Sequence, residues 1–455
     1  MLQLHHVRRI VYNKKWHNIY ESINPQHMQE NVLQFIWKSG LFDHSGLTDA
    51  DLKPVQILHP GFQNSDSGPD FLHARIRIDD TLWVGNVEIH VHEKSWYAHK
   101  HHLDAAYNNV VLHVCLESEG NTLNAEGMPV PVIQLSDRID HSLLDCYEFL
   151  LKNSDPIPCF RLADRVLPLH WIQNTDFMAT ERLENRYQQI LMELEHLQGD
   201  WDEMFYQLLC KSLGHKVNAQ PMQNLARKLP YKLLQKYSEN RTKTEALLFG
   251  TSGLLGGDFR HAYPKALKKE FQFLAKKHGL HPMSPEVWKF MRMRPASFPT
   301  LRLSQLAALM DAPRGLFRQL LEAESFTEIL TWLGGSSSDY WESHYRFDVE
   351  SVHKQTTTGL STRYSLIINA VVPILFAYGK YRHEPQICEK AFNWLSEIEA
   401  EKNKVVNIFT NLGVPCENAM HSQGILHLYN NYCTLKRCLD CTVGRNLLYH
   451  KIERT

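Results

Sequence analysis

Neither sign of charge prevails in this chain: 49 lysines and arginines stand against 50 aspartates and glutamates, for a net charge of −1. Global charge therefore argues neither for nor against nucleic-acid binding, which would need a local basic surface. Long apolar runs are missing too. The longest candidate, residues 365–378, falls short of the ~20 residues of a membrane span, so no membrane partner is expected. The N-terminus reaches Arg8 and Arg9 without an apolar stretch, so no signal peptide is expected. No internal repeat, low-complexity tract, dinucleotide fingerprint or Walker loop occurs. Nine cysteines among 455 residues suit a reducing compartment and a metal site better than a disulfide scaffold. What is present, 43% hydrophobic and 22% charged residues, is the balance of a folded protein with two or three cored domains. A cytoplasmic setting is expected.

Histidine, by contrast, is abundant at 26 residues, and six of them (His90, His92, His99, His101, His102, His113) share one short segment. Around that segment the pattern is α+β. Residues 26–42 carry Met28, Val32, Phe35, Ile36 and Trp37 at helical intervals, with Gly40 at the end. Strands are expected at 55–58, 74–78, 82–92, 110–116 and 130–135, and a helix at about 136–151. That makes an α/β domain over 1–150. Beyond Pro156 and Pro158 the chain reads as an all-helical domain over 151–415, with helices at 171–197, 201–213, 220–228, 231–237, 241–248, 264–278, 301–310, 316–333, 366–378 and 384–394, and a further helix at 416–429 opens the tail. An alternative organisation divides the helical part near Gly250–Gly257. A cysteine-rich tail, 416–455, is expected to pack on the helical domain.

The chemistry concentrates in GPDF (Gly68–Phe71) and GNVEIH (Gly85–His90). Asp70 precedes one strand, the Asp79-Asp80 pair turns the chain, and the next strand brings Glu88 back toward Asp70. Side chains alternate along a strand, so Glu88, His90 and His92 share one face while Val87, Ile89 and Val91 pack on the other. Asp70 and Glu88 can hold Mg²⁺ or Mn²⁺ against a phosphate, with His90 to orient water or offset charge. Glu30, on the first helix, is a further candidate ligand or orienter of His90. Asn64 and Asn86 are expected to shape the loops around the cleft. His99, His102, Asp104, Tyr107 and His113 supply candidate substrate or supporting contacts. The plainer account makes GPDF and GN turn chemistry and pairs Glu88 with an arginine such as Arg75.

Cys433-x4-Cys438-x2-Cys441 is the second signal. Thiolates on such short loops suit zinc or an iron–sulfur centre, with Cys416 the best fourth ligand and His421 or His427 next. Arg182, Arg186, Lys211, Lys216, Arg292, Arg294 and Arg302 could reach phosphate, though a solvated or salt-bridged face suits them better.

HPGFQNSDSGPDF, WVGNVEIH, SWYAHKHHLDAAYNNVVLHV and the Cys433–Cys441 tail resemble the uncharacterised bacterial family DUF2851, common in Bacteroidetes, over nearly the whole chain. That family implies no activity. More distantly, Asp70 and Glu88-Ile89-His90 resemble the PD-(D/E)XK nuclease superfamily, which implies a restriction-endonuclease-like mixed sheet with flanking helices, Mg²⁺ and cleavage of DNA or RNA. His90 stands where that superfamily usually has lysine, a departure that bears on activity and metal choice. Three readings follow. One is a metal-dependent nuclease; one is an inactive nuclease-like nucleic-acid-binding module; one is a metal-dependent hydrolase of a small phosphorylated substrate.

Overall fold

A computed structural model describes residues 29–449 apart from 121, 312–314 and 353–356. The expected helix residues 26–28, Met28 among them, and the Arg8–Arg9 N-terminus lie outside the described residues. Contacts divide the chain into two units: residues up to Val166 together with the stretch from Lys436 onward, and Leu167–Leu435.

The first unit carries a mixed sheet. Helix α1 (Glu30–Ser39) buries Val32, Leu33, Phe35, Ile36 and Trp37 and packs on the sheet. The strands are β1 (Val55–His59), β2 (Phe62–Gln63), β3 (Phe71–Ile78) and β4 (Thr81–His92), then, after the single-turn helix α2 (Ser95–Ala98), β5 (Val110–Glu117) and β6 (Val132–Gln134). Their order is β1-β3-β4-β5-β6, with β2 pairing to β3. β1, β3 and β4 are antiparallel, whereas β4, β5 and β6 run parallel. Asp79 (φ 53°) and Asp80 turn β3 into β4, as a two-residue hairpin loop requires. The helix expected at 136–151 begins later, as α3 (His141–Lys152), because Asp140 caps it by accepting the Ser142 N–H.

Alternation predicts a buried and an open face for β4. Instead, both faces are buried from Val87 to Val91. β4 is a central strand between β3 and β5, and its second face is covered by the segment carrying Trp96, His101 and Tyr107.

The second unit is helical: α4 (Pro168–His196), α5 (Trp201–Leu213), α6 (His215–Lys228), α7 (Tyr231–Gln235), α8 (Arg241–Thr251), α9 (Ala262–His278), α10 (Pro299–Leu309), α11 (Leu316–Glu322) and α12 (Phe326–Trp332). A hairpin, β7 (His344–Arg346) and β8 (Val349–Glu350), interrupts the series, which resumes with α13 (Leu360–Leu366), α14 (Val372–Arg382), α15 (Pro385–Ser396), α16 (Lys404–Asn411) and α17 (Ala419–Leu428). The run expected as one helix over 316–333 is two. Ser325 caps the second helix by accepting the Glu328 N–H, and Glu328 accepts the N–H of Glu324 just before the cap. Among the basic candidates, Arg302 is buried and Arg182 partly so, and loss of solvation lowers both pKa values to about 10.

Leu360–Arg382 forms one helical run of 23 residues, longer than the 365–378 read from sequence and long and apolar enough to cross a membrane. Two-thirds of its apolar window is buried within the unit, against α4, α5 and α15, as in a core helix.

The tail departs from expectation. From Lys436 it joins the sheet unit, where α18 (Thr442–Tyr449) buries Val443, Leu447 and Leu448 and packs on α3.

Candidate metal centre

The pairing Phe71↔Val87 sets Asp70 across from Glu88. The two acids then lock together. The Asp70 N–H donates to Glu88 Oε2 at 3.0 Å, and the Ile89 N–H donates to Asp70 Oδ2 at 3.1 Å. Gln34 Nε2 donates to the other Asp70 oxygen at 2.8 Å. Burial, then the Glu88 charge, raise the Asp70 carboxyl to about 7. The loop before Asp70 is held by Asn64, whose amide donates to the carbonyls of Ser67 and Pro69; Gly68 takes φ 107° there, a region closed to side-chain-bearing residues. Asn86 accepts the His73 N–H at 3.4 Å across the bulge in β3.

Glu88 is 5% exposed and His90 1%. Glu88 Oε1 lies 3.3 Å from His101 Nε2 and 3.6 Å from His90 Nε2, and His90 Nε2 lies 3.2 Å from His99 Nδ1. One ligand atom each from His90, His99 and His101 falls within 4.8 Å of the others. His101 Nε2 has no hydrogen-bond partner although buried. These side chains form a cluster able to hold a divalent metal ion.

Hydrogen bonds behind His90 decide which nitrogen carries its proton. Glu93 accepts from the N–H groups of Glu119 and Gly120 and from Ser118 Oγ, and also from the Thr122 hydroxyl at 3.2 Å. Having donated to Glu93, Thr122 Oγ1 accepts from His113 Nδ1 at 3.0 Å. His113 Nε2 is then the acceptor, taking the proton of His90 Nδ1 at 2.8 Å, with Cys115 Sγ 3.3 Å away. His90 Nε2 is left as a lone pair aimed at His99 and Glu88, the orientation a metal ligand needs. Burial, reinforced at His90 by its histidine neighbours, lowers His90 to about 2 and His113 to about 3, so both stay neutral near pH 7.

Glu30 joins this group from α1. Burial raises its pKa, opposed by His99, and Glu88 and His101 also act on it. Gln34 and Lys38 follow at i+4 and i+8 on the same helix face. Tyr107 stacks on His101 with centroids 3.9 Å apart, and burial pushes its hydroxyl to about 12. Two expected contacts, Asp104 and His102, fall elsewhere, as does His92 of the β4 face. Asp104 is exposed and caps the turn at Ala105–Tyr107; His102 packs on Tyr97, with centroids 5.0 Å apart; His92 pairs with Glu117 at 3.2 Å. Gln34, Glu93 and Thr122 were not among the candidate residues, and His101 was named only as a member of the histidine cluster. For Gln34 the available signal was its spacing of four from Glu30; Glu93 and Thr122, 29 residues apart, gave none.

The cysteine expectation needs correction. Cys416 and Cys433 belong to the helical unit, Cys438 and Cys441 to the sheet unit. His421 and His427 face Asp176 and Glu181 of α4. Among the described residues, the two groups whose ligand atoms converge on a single ion contain no cysteine. Cys438 and Cys441 are buried in the sheet unit, where their charges also act on Cys159 and Cys146 acts on Cys438. Burial raises the thiol pKa of Cys438 to about 12 and lifts those of Cys159 and Cys441. No cysteine forms a disulfide.

The model of the DUF2851 family, described as a protein of unknown function, matches residues 30–404. The chain belongs to the DUF2851 family. The match takes in the whole Asp70–His113 constellation and ends before Cys433. No curated protein and no solved structure matches this DUF2851 chain.

Proposed function

We propose that this DUF2851 protein is a metal-dependent hydrolase of phosphodiester bonds in DNA or RNA. The observation that carries the reading is the convergence of Glu88, His90, His99 and His101 beside a carboxyl, Asp70, whose pKa stands near 7. Those four residues would hold the ion. A donor set rich in imidazole suits Mn²⁺ or another transition ion better than Mg²⁺ alone. When bound, such an ion polarises a phosphoryl oxygen and makes water more acidic. The protein's own groups do the rest. The Glu93–Thr122–His113 chain keeps the His90 lone pair forward. Asp70, ionised by a cation beside it, would accept a proton from water, as general-base work requires. Gln34 fixes its carboxyl, and Glu30 adds a second acid. The choice of nucleic acid rests on the resemblance of Asp70 and Glu88-Ile89-His90 to PD-(D/E)XK nucleases.

The test is incubation of the full chain with labelled single- and double-stranded DNA and RNA in Mn²⁺ or Mg²⁺, beside Asp70→Asn and Glu88→Gln. Cleavage that needs the ion and falls at least about 100-fold in both variants is expected. Equal turnover by the variants would remove the reading. Binding without cleavage under either ion would make the protein a nuclease-like binding module.

A further inference from the structure

A second constellation lies in the helical unit, outside the site already described. His344 begins β7, and its cross-strand partner in the hairpin is Glu350 on β8. Residues directly opposite in an antiparallel pair project to the same side. His261, which precedes α9, meets them there: its ring centroid lies 5.1 Å from that of His344. One ligand atom each from His261, His344 and Glu350 falls within 4.8 Å of the others.

Two hydrogen-bond facts give this grouping a direction. His344 Nδ1 lies 2.8 Å from the Tyr340 carbonyl, which can only accept, and 3.0 Å from Ser343 Oγ, which can also accept, so the ring proton sits on Nδ1 and Nε2 carries the lone pair. That Nε2 is sealed from solvent and has no hydrogen-bond partner, on a residue only 6% exposed. Stacking on Tyr340 explains the ring's packing but leaves the nitrogen unanswered. His261 is likewise held in place. Asp348 accepts its main-chain N–H at 2.9 Å and sits 3.6 Å from ring Nδ1, with Tyr340 Oη 3.4 Å from the same nitrogen. A carboxylate beside a ligand histidine is the usual outer support of a metal site.

We infer that His261, His344 and Glu350 bind a transition-metal ion of the zinc class, clipping the β7–β8 hairpin to the start of α9. Two imidazoles and one carboxylate are a zinc ligand set that leaves a fourth position for water. Glu350 is exposed, so exchange with solvent metal is open from that side.

The test uses chelator-stripped full-length protein titrated with Zn²⁺, and with Co²⁺ for its visible absorption. A His99→Ala background weakens the first cluster, and Glu350→Ala and His344→Asn are added singly. His99→Ala is expected to retain about one equivalent of Zn²⁺ and a rise in melting temperature on adding it. Either second substitution should weaken that equivalent at least about 10-fold and erase the temperature rise. Glu350→Ala removes a surface side chain, so a folded variant is available even if His344→Asn is unstable. Unchanged stoichiometry and affinity in Glu350→Ala, or no Zn²⁺ uptake by the His99→Ala protein, would overturn the inference.

Discussion

Replacing Asp70 by asparagine should make the metal-free protein more stable at pH 8, with the advantage shrinking to about a third of that at pH 5 and vanishing below pH 4. A carboxyl with a pKa near 7 in the folded chain and near 4 in the unfolded one binds its proton more tightly when folded. Folding stability from this group is therefore full below pH 4 and is lost as pH rises through 7. The gap corresponds to a ceiling of about 4 kcal/mol, and partial exposure brings the expected cost to about 2–3 kcal/mol at pH 8. Asparagine avoids that cost, because Gln34 can rotate its amide to accept from the new NH₂ while the Ile89 N–H keeps its acceptor. The depressed pKa values of His90 and His113 act the other way, removing stability as pH falls below about 6.5. They are common to both proteins and cancel in the difference. Urea denaturation at pH 5, 6.5 and 8, in chelator, measures it. Adding Mn²⁺ should close the gap at pH 8, since a cation stabilises the charged carboxylate. A difference independent of pH, or an asparagine variant less stable at pH 8, would show that Asp70 is an ordinary ionised carboxylate.

Thr122→Val keeps shape but removes the hydroxyl that sets the His113 and His90 tautomers; metal affinity, read by calorimetry, should fall about 10- to 100-fold. Gly85→Ala would place a methyl 2.4 Å from Val111 Cγ1 and 2.6 Å from the Asn109 carbonyl, so a loss of about 1–3 kcal/mol is expected in urea denaturation. Native alkylation should spare Cys159, Cys438 and Cys441, whose thiols are buried and hard to ionise, while half-buried Cys416 reacts sooner; mass spectrometry of peptides distinguishes them.

The residue pattern of this chain already determined its local geometry. The hairpin through Asp79-Asp80, the apposition of Asp70 with Glu88, and the limits of α5 follow from alternation, turn chemistry and helical period, which act over a few residues. Distant pairings were decided only by the folded chain. Parallel pairing of β5 with β4 brings His113 to His90, and the stretch after β4 folds back to bury Glu88 under His101 and Tyr107. Likewise the hairpin at His344 meets His261, 83 positions earlier, and the terminal helix returns to α3. A periodicity names the face a side chain takes. What that face touches depends on which other segment excludes water from it, and that choice is made by packing across the whole unit.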